Sequence, residues 1–241
     1  MEGGVPAGWD KEAFVRDMFS SIAHRYDLLN TILTLGRDGA WRRFAVAQTG
    51  LGPGGRGLDV CCGTGRLAFE QARVVGREGS VVGVDFCDRM LEVAKRNLKK
   101  TPFEGIVRLI KADALDLPFP PDTFDCATMG FGLRNVADIR RALAEMRRVV
   151  RPGGTVVTLD LATPRRPGFR EVYRLYLRRL VPLIGRLGVG LPGPYRYLSQ
   201  SLETFPGQEA LRGLFAEAGL VGARCIGLAG GVVAVHVGRK A

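Results

Sequence analysis

Three observations predict an α/β fold, doubly wound about a mostly parallel, seven-stranded sheet. Strand-like and helix-like segments alternate between residues 58 and 159, and such alternation builds parallel sheets through crossover helices. The first strand, around Leu58 to Val60, runs into a glycine turn that opens a helix. Strand, glycine turn and helix together present a nucleotide-like ligand at the carboxyl end of an open sheet. The chain closes on two strands, near 220–228 and 232–237, joined by Gly230-Gly231. That hairpin places one antiparallel strand in the sheet.

Residues 1–10 read as a loose start. From Lys11, Phe14, Met18 and Ile22 recur every four positions and mark one face of a helix. Arg25 to Asn30 follows, Gly36 breaks the run, and a further helix carries Trp41, Phe44 and Ala45 inward. This preface, residues 11–50, is expected to cover the active site of a single domain, 1–241. His24, Tyr26, Asp27 and Asn30 in it are more polar than packing requires; they either tie the helices together or serve a site.

The glycine stretch is Gly57 to Ala68. Its turn opens a helix with Leu67, Ala72 and Val75 inward. A second strand, Val81 to Val84, ends in Asp85, and Met90, Leu91, Ala94 and Leu98 line the helix after it. A third strand, Ile106 to Ile110, leads to Asp113 and Ala114. The fourth runs from Phe124 to about Gly130. A helix over 138–150 carries Ile139, Leu143 and Met146, and Pro152-Gly153-Gly154 stops it. Thr155 to Leu159 is the fifth strand. A last helix, about 207–218, ends at Gly219.

Residues 164–206 interrupt the rhythm as a helical insertion or lid. Phe169, Val172, Tyr173, Tyr176, Leu177, Leu180, Val181 and Ile184 fall on one helical face, with Arg170, Arg174, Arg178 and Arg179 on the rest. Pro182 should end or kink this helix, and a glycine- and proline-rich stretch follows from Gly185 to Pro194. The segment is read either as a cover over an apolar substrate, or a basic amphipathic face touching lipid, or as a helix packing on its own domain.

Composition sets the outer bounds. The 241 residues are 46% hydrophobic and 24% charged, as in a soluble globular protein with a real core. No apolar run approaches the about 20 residues that span a bilayer, and the first residues lack the basic and apolar regions of a signal peptide. A cytoplasmic location is expected. The five cysteines form no Cys-x-x-Cys pair and cluster with neither histidine; no metal site is expected. The net charge of +11 suits phosphate-rich partners, nucleic acid or an anionic membrane, or else is a solvated arginine surface.

Asp85 can accept hydrogen bonds from ribose hydroxyls, as an acid does at this place in dinucleotide folds; it can also cap a helix. Asp113 and Ala114 are placed to hold an adenine edge. A nicotinamide dinucleotide would use Gly63, Gly65 and Ala68 as its phosphate turn. S-adenosylmethionine would use an acid near the end of the first strand, Asp59, and the glycines around Thr64. The terminal hairpin favours the second ligand.

Four stretches narrow the choice: Phe19 to Asn30 with Trp41-Arg42-Arg43; Leu58 to Gly65; Leu117-Pro118-Phe119 with Phe131 to Val136; and Tyr195 to Ser201 with Phe205-Pro206. In these the chain, from about Val15 onward, resembles the class I S-adenosylmethionine-dependent methyltransferases that C-methylate demethylmenaquinone and related polyprenyl quinols. The resemblance implies a Rossmann-like domain and cofactor binding by Asp59, Gly63, Thr64, Gly65, Asp85, Asp113 and Ala114. It implies catalysis by Tyr26, Asp27 and Arg134, with His24, Asn30 and Asn135 on the quinol. It also implies a lipid-tailed substrate, peripheral contact with an anionic membrane, and no nucleic acid. A benzoquinol is an alternative acceptor. Three positions depart from the family pattern: Cys61 for a general first glycine, Arg66 for an expected Asp, and Asp38 where His is frequent before the tryptophan. Competing readings are a nicotinamide oxidoreductase, for which no Tyr-x-x-x-Lys pair is evident, a nucleic-acid methyltransferase, and a non-catalytic lipid-binding protein on the same scaffold.

Overall fold

A computed structural model describes residues 10–181 and 193–241. Seven strands form one sheet: β1 (Arg56–Val60), β2 (Ser80–Asp85), β3 (Val107–Lys111), β4 (Phe124–Gly130), β5 (Val150–Leu161), β6 (Leu220–Leu228) and β7 (Val233–Lys240). Their order is β3-β2-β1-β4-β5-β7-β6. The first five run parallel, and β7 pairs antiparallel with both β5 and β6. The order reverses between β1 and β4, so a crevice opens outside their carboxyl ends, where open α/β sheets bind ligands. Val60 pairs with Val84 on one side and Met129 on the other, so these strand ends are level.

The central strands are apolar on both faces because helices cover both. Leu58, Val60, Val84, Ala127 and Met129 are fully buried, as are Leu143 and Met146 of the helix that crosses one face. That helix is one of three crossovers in the parallel half, α4 (Arg66–Val75), α5 (Asp88–Leu98) and α6 (Ile139–Val149). The α6 helix ends at Val149 instead of reaching the proline, and β5 begins at Val150. The pairing shifts between Phe124 and Cys126, with Gly153 at φ +80°. Pro152 to Gly154 therefore form a bulge within the strand, which accommodates a residue that cannot donate to a ladder.

The preface folds as α1 (Lys11–Ile22), α2 (Tyr26–Leu33) and α3 (Asp38–Ala47). Asp10 caps α1, accepting from the Glu12 amide at 2.9 Å. Leu35 and Gly36, both at positive φ, turn the chain between α2 and α3. Lys11 Nζ donates to the Val136 carbonyl at 2.7 Å and so ties α1 to the loop after β4.

The late insertion contains α7 (Pro167–Leu175), which continues as a π-helical turn over Tyr176–Leu180, and α8 (Gly193–Thr204); α9 (Gln208–Glu217) precedes β6. The single apolar face expected here divides. Tyr173, Leu177 and Val181 are buried with Leu29 and Leu202, whereas Phe169, Val172 and Leu175 are exposed. Phe169, Val172, Tyr173 and Leu175 all precede the π turn, so the split lies within α7 itself, whose apolar residues span more than one side of the helix. The Tyr176 hydroxyl donates to the Leu33 carbonyl at 2.9 Å and joins the insertion to α2. Pro182, Ile184 and the stretch 185–192 lie outside the described residues, as do the side chains of Leu180, Pro194, Tyr195 and Arg196. Among the described residues, no helix is long and apolar enough to cross a membrane.

Candidate active site

The turn after β1 is built for close approach. Gly65 lies at φ +88° as the N-cap of α4, and a Cβ there would meet the Phe69 ring at 2.6 Å. Gly63, at φ +55°, has nothing within 4 Å of the corresponding point, so its free side fronts the cleft. The Cys62 amide donates to the Val84 carbonyl at 2.9 Å and anchors the turn to β2. Burial pushes the Cys61 and Cys62 thiols far up, so both stay protonated, and their role here is packing.

Asp85 is the polar centre of the cleft. Its Oδ2 accepts from the Gly63 amide at 2.8 Å and its Oδ1 from the Cys87 amide at 2.9 Å. Burial pushes its carboxyl up to about 6, against the pull of these backbone donors. Each oxygen keeps a lone pair for a further donor. Asp59 behaves differently. It is wholly buried beneath the turn and does not line the cleft. Thr128 Oγ1 donates to its Oδ1 at 2.8 Å, its Oδ2 has no hydrogen-bond partner among the described residues, and burial pushes its carboxyl up to about 7.

The cleft, about 890 Å³, is lined on the sheet side by Gly63, Thr64, Asp85, Phe86, Asp113 and Ala114. From the preface, Val15, Phe19, Tyr26 and Arg42 close it. Asp113 Oδ1 accepts from the Leu115 amide at 2.9 Å, the rest of its carboxylate being exposed. Phe86, adjoining Asp85, gives the cleft an aromatic face that the sequence reading did not single out.

A second, mostly apolar cavity shares Tyr26, Arg42 and Phe131 with the first. Leu161, Tyr173, Leu177 and Leu198 line its far side. Arg134 borders it from the short turn Leu133–Asn135. This arginine is almost wholly buried. Its Nη1 donates to Asp160 Oδ1 at 2.5 Å and to the Phe131 carbonyl at 2.8 Å. Burial works against its charge, but Asp160 outweighs it and the guanidinium is held more firmly protonated than usual. Asp160, at the end of β5, also escaped the sequence reading. Asn135 Nδ2 donates to the same Phe131 carbonyl at 3.2 Å, leaving its buried Oδ1 without a partner.

Two residues expected on the acceptor side are elsewhere. His24 is exposed on the outer surface, where its Nδ1 meets Arg96 at 2.9 Å, and it lines neither cavity. Helix α1 ends at Ile22, and the turn that follows carries His24 outward. Asp27 also lines neither cavity. Its Oδ1 accepts from Thr64 Oγ1 at 2.7 Å and its Oδ2 from Asn97 Nδ2 at 3.3 Å. It braces the glycine turn against α2 and α5. Tyr26 and Asn30, one helical turn apart, do border the apolar cavity. The Arg66 and Asp38 departures face each other: Arg66 Nη1 donates to Asp38 Oδ2 at 2.6 Å.

A glycine turn at the switch point, an acid ending β2 and a second acid after β3, all under an added helical cover, define a class I S-adenosylmethionine-dependent methyltransferase. The residues fit that cofactor: spare acceptors on Asp85 suit ribose hydroxyls, Asp113 suits the adenine amino group, and Gly63 gives its backbone room. The chain belongs to the ubiE/COQ5 methyltransferase family, whose model matches residues 9–240. It is 47% identical over 234 residues to a demethylmenaquinone methyltransferase of Desulfitobacterium hafniense (strain Y51), covering 97% of this chain and 92% of that one. A demethylmenaquinone methyltransferase of Staphylococcus aureus (strain JH9) is 42% identical over 226 residues, covering 94% and 92%. The fold matches the crystal structure of a SAM-dependent methyltransferase from Aquifex aeolicus with a TM-score of 0.62 at 18% identity, over 83% of this chain and 89% of that chain.

Proposed function

We propose that this enzyme C-methylates the ring of a polyprenyl naphthoquinol, taking demethylmenaquinol to menaquinol. The observation that carries the reading is the apolar cavity beside the cofactor cleft, with the Arg134–Asp160 pair at its border. A nucleic acid would need a basic groove with stacking aromatics; a mostly apolar cavity suits a lipid-tailed ring.

Bound S-adenosylmethionine supplies a methyl group activated by its sulfonium. The protein must then orient a ring carbon and make it nucleophilic. A quinol hydroxyl, with an ordinary phenolic pKa of about 10, is a weak donor of electron density until its proton is shared or lost. Arg134, fixed by Asp160, offers a preorganised cation to the developing phenolate. The Tyr26 hydroxyl, bordering both cavities, is assigned to the same oxygen. Asn135 presents an unpartnered carbonyl oxygen for a ring hydroxyl, and Asn30 flanks the ring. Ring orientation supplies part of the rate, up to about 7–11 kcal/mol for well-placed reactants. Asp85, Asp113 with Ala114, Gly63 and Thr64 hold the donor, and Asp59, Gly65 and Asp27 shape the turn that does so.

A lipid-tailed substrate supports a reading in which the enzyme works at the cytoplasmic surface of a membrane. Leu28, Ile32 and Leu35 on and just after α2, and Val172 and Leu175 on α7, are exposed apolar residues, and α7 with its π turn carries Arg170, Arg174, Arg178 and Arg179. Apolar residues beside arginines are the pattern of an interfacial contact with anionic lipid.

The test is methyl transfer from labelled S-adenosylmethionine to demethylmenaquinol, to a demethoxy-type benzoquinol and to RNA in parallel. Label in the naphthoquinol is expected. Label in RNA alone would overturn the reading, and comparable label in the benzoquinol would widen the substrate class.

A further inference from the structure

Arg42 has a guanidinium without a hydrogen bond. It is 6% exposed, its Nε is buried without a partner, and it donates no hydrogen bond to any acceptor among the described residues. Its nearest carboxylate, Asp38 Oδ2, is 3.6 Å from Nε, beyond hydrogen-bonding reach. That oxygen is engaged by Arg66 at 2.6 Å. Asp38 is thus shared by two guanidinium groups, of which only Arg66 hydrogen-bonds to it, and both arginines line the cofactor cleft. Asp59 is near enough to feel the charge of Arg42 but makes no hydrogen bond with it. Phe131, with its ring centroid 5.1 Å from the Arg42 Cζ, fixes one face of the guanidinium. A buried cation that lacks acceptors is costly unless a ligand supplies them.

We infer that Arg42 is the ligand for the α-carboxylate of the cofactor's methionine end. The inference rests on S-adenosylmethionine as the cofactor. The adenosyl end is accounted for by Asp85 and Asp113, on the β2 and β3 side of the cleft. Arg42 stands at the other side, by Phe131 and Gly130, a Cβ on which would meet its Nη1 at 3.4 Å. Of the zwitterionic cofactor, only the carboxylate matches a surplus cation, and a guanidinium fork binds it through two donors. The Arg66–Asp38 pair has a separate task. It pins the start of α3 to the start of α4, and so holds Arg42 one helical turn along α3 at the cleft. The two departures from the family pattern are then a single exchange: an acid lost from the turn is restored on the covering helix.

Calorimetric titration with S-adenosylhomocysteine and its decarboxylated counterpart tests this without turnover. In the natural protein the decarboxylated compound should bind about ten- to hundredfold more weakly, the range for a lost charge-assisted contact. In Arg42→Met the two compounds should bind alike, because only S-adenosylhomocysteine loses affinity. Arg42→Met leaves Asp38 paired with Arg66, so the fold should hold; Arg42→Lys, which keeps the charge, should recover part of the difference. Equal loss for both compounds in Arg42→Met would reduce Arg42 to a packing role, and an undiminished preference for the carboxylate would overturn the assignment. Failure of the natural protein to bind either compound would instead remove the cofactor reading beneath it.

Discussion

Arg134 and Asp160 hold each other in a setting where neither charge is tolerable alone. Removing one partner of such a buried pair costs about 3–5 kcal/mol of stability, so Asp160→Ala should unfold at clearly lower denaturant. Arg134→Ala strands Asp160 in the same way; Arg134→Met with Asp160→Asn removes both charges and should recover much of that stability. The double variant is expected to bind S-adenosylhomocysteine within about twofold of the natural protein, yet lose about 10²–10³ in kcat, the scale for one preorganised donor at a developing anion. Near-normal turnover would take Arg134 out of the reaction. Asp85 gives a pH signature. Its raised pKa means that the protonated form suits the ligand-free fold, so its contribution to stability is present below about pH 4 and fades as pH rises through about 6. Cofactor binding runs the opposite way, since ribose hydroxyls need the ionised acceptor. Affinity for S-adenosylhomocysteine should therefore fall as pH drops through 6, and Asp85→Asn should be weak and flat across that range. Asp85 was legible in the sequence as an acid that ends a strand after a glycine turn, and it does line the cleft. Asp160 was not legible, because its partner Arg134 lies on another element, and Arg42 and Phe86 show their place only once the folded cleft brings them together. His24 and Asp27 were legible as polar residues, but not the direction in which a short helix and the turn before it would point them.

Secondary structure was readable where hydrophobic period and punctuation agreed. Phe124 to Gly130 and Leu220 to Leu228 appear as expected, and the alternation of strands with helices set the parallel order. It failed where a local rule had two solutions. Pro152-Gly153-Gly154 serves equally as a helix stop or a strand bulge, and pairing with β4, a non-local interaction, selects the bulge. The face of α7 failed because its apolar residues span more than one side of the helix, and spacing alone does not say which side packs. That failure carries a functional consequence: Val172 and Leu175 face outward instead of packing. With Ile32 of α2 they should sink into an anionic bilayer. The combined Ile32→Glu and Val172→Glu variant is expected to lose salt-sensitive flotation with anionic liposomes, while keeping its rate on a short-chain, water-soluble naphthoquinol. Flotation equal to that of the natural protein would move the membrane contact elsewhere.

At the scale of the molecule, a sheet used by many chemistries is specialised by what is added to its carboxyl edge. The donor side, glycine turn and acids, comes from the sheet itself. The proposed acceptor side comes from α1 to α3 and from the α7–α8 segment, whose buried residues meet at Leu29 and Leu33. Ligand binding should therefore tighten two halves at once. At a cofactor concentration of 100 times Kd, linkage gives about 2.7 kcal/mol, or a Tm rise of about 5–10 °C for a chain of this size. The rise should shrink below pH 6 with the protonation of Asp85. In the proposed reaction the methyl group goes to a ring carbon of a naphthoquinol. This transfer is tested most directly by single-turnover reaction of the enzyme with carbon-13-methyl-labelled cofactor and demethylmenaquinol, followed by NMR of the isolated product. The label is expected as an aryl C–CH₃ resonance. A methoxy resonance, or a quinol recovered unlabelled with active cofactor still bound, would contradict it.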